Sequence, residues 1–210
     1  MKKIGALHVL TDTLLQDRYS HLDLARLAAA GGADTVQYRQ KTGTTRDMIK
    51  TAEAMQKICT QAGITFIVND RVDVAIASGA HGVHLGQDDF PVRRARDLLG
   101  PDRIIGVSGG NLEEAQQGIA DGADYIGFGP IYSTGSKPDA GTAQGLDKLS
   151  QMVRNLSVPV IAIGGINAAA AADVIRAGAH GIAIISAVCC QSDPEAATRT
   201  LMDRIRSVHL

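Results

Sequence analysis

Short apolar runs alternate along this chain with longer segments in which apolar residues recur every three or four positions. Runs of the first kind are typical of buried β-strands, and segments of the second kind are typical of amphipathic α-helices. In the segment after the second run, for example, Met48, Ala52, Met55 and Cys59 fall on one helical face. Eight runs predict strands: "IGALHVL", "DTVQYR", "ITFIVND", "GVHLG", "RIIGVS", "DYIGFGP", "VPVIAIGG" and "GIAIIS".

A Gly-Ala pair stands just before every second predicted strand, starting at positions 32, 79, 122 and 178. A helix that ends at glycine and leads into a nearly continuous apolar strand is typical of a parallel sheet covered by helices. Eight such units in 210 residues predict an α/β fold, a single (β/α)8 TIM barrel with parallel strands in one domain, residues 1–210. An open doubly wound sheet is the alternative, but no G-x-G-x-x-G sequence follows the first strand.

Two asparagines predict where helices begin. Asn111 can cap a helix together with Glu114 three residues further on, and Asn167 can open an alanine-rich helix. Both positions come within three residues of the end of a predicted strand, in keeping with the alternation of strands and helices.

Composition and charge narrow the classes of partner. The formal net charge is -1 without a long run of Lys or Arg, and aromatic residues make up 3% with no Trp, so we expect no nucleic-acid partner. No apolar segment approaches the roughly 20 residues that span a bilayer, so we expect no membrane partner. Three cysteines without metal-ligand spacing suggest reduced thiols and a cytoplasmic location. The oligomeric state stays open, and a homo-oligomer is compatible with the sequence.

The second predicted strand ends in polar residues, and in a barrel of this kind the active site lies where strands end. Period-two geometry places Gln37, Arg39 and Lys41 on one face of that strand, with Val36 and Tyr38 on the other. If the apolar face meets the helices, two cations face the barrel interior, where burial is costly unless carboxylates or an anionic ligand meet them. A solvated strand edge is the alternative, although a closed barrel has no edges.

Acidic and amide side chains follow the next two strands. Asn69, Asp70 and Asp89 would lie at neighbouring strand ends, and two carboxylates beside cations suggest Mg2+ with a polyanionic ligand. The alternatives are ordinary helix-start roles: Asp70 could cap the next helix, and Asp89 could precede a helix with Pro91 in its first turn. His84, which alternates with apolar neighbours, is interpreted as a packed, hydrogen-bonded core histidine.

The last four strand ends offer groups suited to phosphate. Ser108 is followed by two glycines that let another group approach the backbone. Residues 133–145 form a loop without apolar periodicity, long enough to suggest a function, with a solvated flexible loop as the alternative. Backbone N–H groups after the last two strands are a recurrent phosphate site in such barrels. The candidate phosphate ligands are Thr134, Gly135, Ser136, Lys137, Gly164 or Gly165, and Ser186.

From "LHVLTD" to "IISAV" the chain resembles the thiamin phosphate synthase family, through "QYRQK", "VNDRVDVA", "GVHLGQDD", "GVS", "GADYIGFGPIYST", "SKPDA" and "AIGGI" in that order. The resemblance implies a (β/α)8 barrel with one Mg2+ per active site. It also implies two small phosphorylated heterocyclic substrates, a pyrimidine diphosphate and a thiazole phosphate, which condense with release of pyrophosphate. Two departures stand out: Gly109 and Gly110 follow "VS", where many relatives carry a histidine at the second position, and the loop reads "STGSK".

Carried over by position, the resemblance assigns a role to each strand end. The implied pyrimidine-diphosphate ligands are Gln37, Tyr38, Arg39, Gln40, Lys41, Asn69, Ser108 and Lys137. The implied thiazole-phosphate ligands are Thr134, Gly135, Ser136, Gly165, Ile185 and Ser186. The implied metal ligands are Asp70 and Asp89. The implied catalytic residues are Arg39, Lys41, Ser108 and Lys137.

Three rival functions share parts of this pattern. A related thiazole tautomerase has the same barrel but needs an acid–base group, which Gly110 does not supply. A phosphosugar isomerase of the same class would use the phosphate site after the last two strands, yet it has no need of two acids beside "QYRQK". A barrel that binds phosphorylated ligands without turnover is the non-enzymatic alternative.

Overall fold

A computed structural model describes residues 2–136 and 141–208. Eight strands form a closed barrel in the order β1 to β8, with β8 beside β1 and every neighbouring pair parallel, which confirms the predicted (β/α)8 barrel. The strands are β1 Leu7–Thr11, β2 Thr35–Tyr38, β3 Thr65–Asn69, β4 Gly82–Leu85, β5 Ile104–Ser108, β6 Tyr125–Phe128, β7 Val160–Ile163 and β8 Gly181–Ile184. The helices are α1 His21–Ala30, α2 Thr45–Ala62, α3 Val72–Ala77, α4 Val92–Leu99, α5 Leu112–Ala120, α6 Gly145–Asn155, α7 Ala171–Arg176, α8 Ser186–Cys189 and α9 Pro194–Arg206.

The core has two layers because successive strand residues point to opposite faces of the barrel wall. Residues such as Val9 and Val36 point outward and pack against the helices in the larger cluster. Leu10, Ile67 and Tyr125 belong to a smaller cluster inside the barrel. The inner cluster fills the barrel with apolar side chains.

Helix starts agree with the sequence at one asparagine and differ at the other. The Asn111 side chain accepts a hydrogen bond from the Glu114 N–H at 2.9 Å and caps α5 as predicted. Asn167 instead closes a turn, accepting from the Ala169 N–H at 3.0 Å, and α7 begins only at Ala171. A side-chain oxygen that caps local N–H groups stabilises a turn as readily as a helix. Among the described residues, no helix is both long and apolar enough to cross a membrane.

Candidate active site

A cavity of about 540 Å³ opens at the carboxyl ends of the strands. Most residues that the sequence assigned to a site lie together in its wall, although they come from seven different strand ends. The assigned residues that line the cavity are Gln37, Arg39, Lys41, Asn69, Asp70, Asp89, Ser108, Thr134, Ser136, Gly165, Ile185 and Ser186. Parallel strands that all end on one face of a closed barrel produce this convergence.

Three assigned residues are not brought into the cavity wall, and a fourth lies outside the described residues. Tyr38 is buried on the helix side of β2, with its ring 4.8 Å from that of His21. Gln40 turns to the same histidine, its Oε1 lying 2.6 Å from His21 Nε2. Gly135 does not line the cavity, and Lys137 lies outside the described residues. Substrate contacts by these four residues stay predictions.

Five charged residues at the ends of β1 to β4, here called the charged set, are Asp12, Arg39, Lys41, Asp70 and Asp89. Arg39 forms an ion pair with Asp12, and Lys41 forms one with Asp70. The side chains of Arg39 and Asp12 are 9% and 1% exposed, so their charges are buried together. The cations are therefore held in place by carboxylates, as charges inside a protein must be.

Asp12 is the residue of this set that the sequence reasoning missed. The register of β1 with β2 pairs Thr11 with Tyr38, so the next residues in the two strands, Asp12 and Arg39, lie side by side. The signal was present in the sequence, since "LTD" and "QYR" end consecutive strands. Strand register, which joins the two motifs, is set by tertiary structure.

The capping alternative is wrong for Asp70, whereas Asp89 does precede a helix, α4, from outside its first turn. The residue before α3 is Arg71, and no side chain caps that helix. Pro91 precedes α4, whose first turn has no acidic residue. Asp70 is instead the one residue besides glycine with positive φ among the described residues, at 65°, a conformation that is strained for a side chain and frequent at functional sites.

The carboxylates of Asp70 and Asp89 face each other across the ends of β3 and β4. The pKa of Asp89 is raised above its ordinary value. Burial is the largest cause, and the hydrogen bond with Asp70 and the charge of Asp70 add to it. The Gly86 N–H donates to Asp89 Oδ2 at 2.7 Å and opposes that rise. A carboxylate whose ionisation is disfavoured by a neighbouring acid is a fitting place for a cation, because a divalent ion would offset the repulsion.

The acid pair fits Mg2+ better than a metal that needs many side-chain ligands. Within residues 2–136 and 141–208, no group of three or more His, Cys, Asp or Glu side chains could hold a metal ion. Mg2+ commonly takes one or two carboxylates and completes its coordination with water and substrate phosphate. Asp70 and Asp89 would therefore be its ligands from this chain.

A hydrogen-bonded chain of side chains runs from the cavity into the barrel. His84 Nδ1 lies 3.0 Å from the Tyr125 hydroxyl, and His84 Nε2 lies 3.0 Å from Ser108 Oγ. Gly106 makes room for this chain, because a Cβ there would come within 2.0 Å of the Tyr125 ring. His84 is hydrogen-bonded as the sequence interpretation expected, but it also lines the cavity.

The opposite wall consists of glycines and hydroxyl groups, here called the neutral set: Thr134, Ser136, Gly164, Gly165 and Ser186. Ser136 Oγ donates to Ser186 Oγ at 3.1 Å, which joins the ends of β6 and β8. Gly165 has φ 67°, and a Cβ at that position would lie 2.6 Å from the Ser133 carbonyl oxygen. Only glycine fits this close approach of two backbone segments.

Gly109 and Gly110, which replace the expected histidine, also line the cavity. The Gly110 N–H donates to Glu114 Oε2 at 2.8 Å, so the first turn of α5 occupies the adjacent space. A Cβ at Gly110 would meet only the end of that flexible side chain, at 3.2 Å. The glycine at this position is therefore not required by the backbone.

Comparison with known proteins adds independent findings. The sequence profile of a family described as thiamine monophosphate synthase matches residues 7–188. The chain is 52% identical over 199 residues to a thiamine-phosphate synthase of Methanoculleus marisnigri, which covers 95% of this chain and 94% of that one. It is also 52% identical over 195 residues to one of Chloroflexus aurantiacus, covering 93% and 90%. The solved thiamine phosphate pyrophosphorylase of Pyrococcus furiosus superposes with a TM-score of 0.89 at 38% identity, over 97% of this chain and 96% of that chain.

Proposed function

We propose that this chain, which belongs to the thiamine monophosphate synthase family, joins a pyrimidine diphosphate to a thiazole phosphate in thiamin biosynthesis. The substrates would be 4-amino-2-methyl-5-hydroxymethylpyrimidine diphosphate and 4-methyl-5-(2-hydroxyethyl)thiazole phosphate or its carboxylate form, and the products thiamin phosphate and pyrophosphate. The observation that carries the proposal is that one cavity has Arg39, Lys41, Asp70 and Asp89 of the charged set on one wall and the neutral set on the other. Two anionic substrates of unequal charge suit that division.

The charged set would receive the diphosphate. Arg39 and Lys41 line the cavity, and their carboxylate partners hold them in place before substrate arrives. When the bond from the pyrimidine methylene to the diphosphate breaks, negative charge builds up on the departing pyrophosphate. Fixed cations stabilise that charge without the cost of reorganising at the moment of reaction. Lys137, which lies outside the described residues, remains a predicted third cation.

Asp70 and Asp89 would hold Mg2+, and the ion when bound would add positive charge at the pyrophosphate oxygens. The support is the raised pKa of Asp89, which burial and the neighbouring Asp70 cause and which a cation would reverse. Magnesium dependence is thus part of the proposal and needs its own measurement.

The pyrimidine ring would lie over the hydrogen-bonded chain inside the barrel. Gln37 is 3% exposed, and its Oε1 has no hydrogen-bond partner among the described residues. A buried carbonyl oxygen without a partner is costly, and the amino group of a pyrimidine would satisfy it. Ser108, held by His84, borders the same space.

The neutral set would hold the thiazole phosphate by hydroxyl groups and backbone N–H groups. Once the phosphate is fixed, the ring nitrogen of the thiazole is held beside the methylene carbon that the pyrophosphate leaves. Holding two reactants in this way is a large part of the barrier reduction in a condensation. A ring nitrogen has a lone pair available, so the attack requires no general base.

The partners of the proposed enzyme are these two small phosphorylated molecules. The reported relatives carry the synthase name, and no observation favours a thiazole tautomerase. The cytoplasmic location, the absence of nucleic-acid and membrane partners, and a homo-oligomer stay predictions.

The test is formation of thiamin phosphate by the purified protein supplied with both phosphorylated substrates, with Mg2+ or with chelator. We expect stoichiometric thiamin phosphate and pyrophosphate with Mg2+ and neither with chelator. A parallel reaction with thiazole phosphate alone tests the tautomerase alternative. Isomerisation there, without product from the complete mixture, would contradict the proposal.

A further inference from the structure

The ion pair of Asp12 with Arg39 differs from the other ion pair of the charged set. Lys41 pairs with Asp70, an acid that itself lines the cavity. Asp12, by contrast, does not line the cavity, whereas its partner Arg39 does. Asp12 is therefore placed to act on a ligand only through the arginine.

The Asp12 carboxylate is fixed by its own loop on one side. Its Oδ1 accepts from the N–H groups of Leu14 at 2.8 Å and Leu15 at 3.2 Å, and its Oδ2 accepts from Arg39. Both oxygens are thus engaged in a residue that is 1% exposed. A carboxylate held by two backbone donors provides a rigid anchor for a third donor.

Arg39 is held at two points. Its backbone N–H donates to the Thr11 carbonyl at 3.3 Å, and its guanidinium reaches Asp12 through Nη1. A guanidinium has five N–H donors in a rigid plane, so an anchor at one end orients the donors that remain. Those donors belong to a residue that lines the cavity.

We propose that Asp12 is a positioning residue that sets the orientation of the Arg39 guanidinium toward a diphosphate in the cavity. The inference rests on the proposed function, since it takes the diphosphate as the ligand. Asp12→Asn tests it without changing side-chain size. The Asn amide has an oxygen at one end and an NH2 group at the other. In one orientation the NH2 group faces the Arg39 guanidinium, and in the other it faces the N–H groups of Leu14 and Leu15. Donor meets donor in both cases, so the anchor is broken in both orientations.

The experiment is a double-mutant cycle in which calorimetry measures the affinity for pyrophosphate with Mg2+ in the parent, D12N, R39Q and D12N/R39Q. We expect D12N to weaken binding about tenfold, the loss expected when a charge-assisted contact is misplaced. R39Q should weaken it at least as much. Adding D12N to R39Q should change the affinity by less than about twofold, because the arginine through which Asp12 acts is gone.

A purely structural role for Asp12 would give a different cycle. If Asp12 only holds the loop after β1, D12N would weaken binding by the same factor with and without Arg39, and the inference would be overturned. Unchanged affinity in D12N would overturn it as well. Thermal stability is recorded for each protein and does not decide the matter, since either role lowers it.

Three further variants keep the test decisive. If D12N does not fold, D12E and D12E/R39Q replace it, because glutamate keeps the charge but displaces the carboxylate. Asp173→Asn is the matched control: Asp173 pairs with Arg176 on the surface of α7, with side chains 58% and 60% exposed, and its loss should leave affinity unchanged. If the parent makes thiamin phosphate and binds pyrophosphate but the cycle is additive, only this inference fails. If the parent does neither, the proposed function is contradicted, and the inference that depends on it is contradicted as well.

Discussion

The two walls of the cavity differ in the groups that they offer an anion. The charged set has cations that are already paired with carboxylates, and the neutral set has glycine backbone and hydroxyl groups. In the proposed reaction, charge builds up on the departing pyrophosphate, whereas the charge on the thiazole phosphate stays constant. The difference suggests that fixed charges are placed where charge develops and neutral donors where a ligand only has to be held.

The largest effect is expected from a variant that breaks the acid pair. This variant should impair the charged wall and leave the neutral wall intact. Asp89→Asn should lower kcat/KM roughly a hundredfold to a thousandfold, because the proposed Mg2+ would lose a ligand. Affinity for the thiazole phosphate should stay within about twofold, since the neutral set is untouched. Steady-state kinetics and equilibrium binding measure the two quantities. Asp97→Asn, an exposed carboxylate on α4, is the control.

The same variant is expected to lose activity without losing stability. Because the pKa of Asp89 is raised in the folded protein, its ionised form opposes folding at neutral pH. Asp89→Asn should therefore be at least as stable as the parent in urea unfolding without metal. A clear loss of stability, with activity retained, would show that Asp89 is structural.

The next effect concerns His8, which lines the cavity and whose Nε2 lies 3.0 Å from the Gly5 carbonyl oxygen. Burial lowers its pKa from 6.5 to about 4. Between those values the unfolded chain binds a proton that the folded protein does not, so stability should fall as pH falls below about 6.5. From pH 7.5 to 5, the free energy of unfolding should drop by about 2 kcal/mol more in the parent than in His8→Gln.

Urea unfolding at both pH values checks this prediction. If His8→Gln kept the parent's pH dependence, the interior would tolerate an unpaired charge. The contrast between paired and unpaired charges in the barrel would then be lost.

A smaller effect is expected in the neutral set from Gly165→Ala. The positive φ and the 2.6 Å approach to the Ser133 carbonyl should both oppose the new methyl group. The free energy of unfolding should fall by roughly 1–3 kcal/mol, and affinity for the thiazole phosphate should fall about tenfold. Gly63→Ala has nearly the same φ, 68°, with nothing near the added methyl group.

The pair of glycine variants separates backbone strain from crowding. Gly63→Ala should lose about 1 kcal/mol and keep full ligand affinity. Equal losses of stability in both variants, with no change in thiazole phosphate binding, would count against a phosphate role for this wall.

The smallest expected effect is that of Ser186→Ala. Loss of one neutral hydroxyl should raise the Kd for thiazole phosphate about threefold to fivefold and leave pyrophosphate affinity unchanged. Ser207→Ala, at the end of α9, is the control. A larger effect on pyrophosphate than on thiazole phosphate would reverse the assignment of the two walls.

The sequence by itself determined the fold, because strands and helices differ in the local period of apolar residues. It also placed most candidate residues at strand ends, where they line one cavity, since the polar residue that follows a buried strand is a local signal. Helix starts were less certain: Asn167 closes a turn, and Asp70 caps no helix although it directly follows β3. A capping side chain offers the same oxygen in each setting, so local sequence leaves its role open.

Only the tertiary structure decided which side chains meet. Asp12 and Arg39 are 27 residues apart, and strand register joins them. Tyr38 shares its motif with Gln37 and Arg39, yet the barrel wall places it among the helices beside His21. Ser136 meets Ser186 across 50 residues because the barrel closes. Apolar periodicity is a property of neighbours along the chain, whereas a site depends on register and closure, which bring distant residues together.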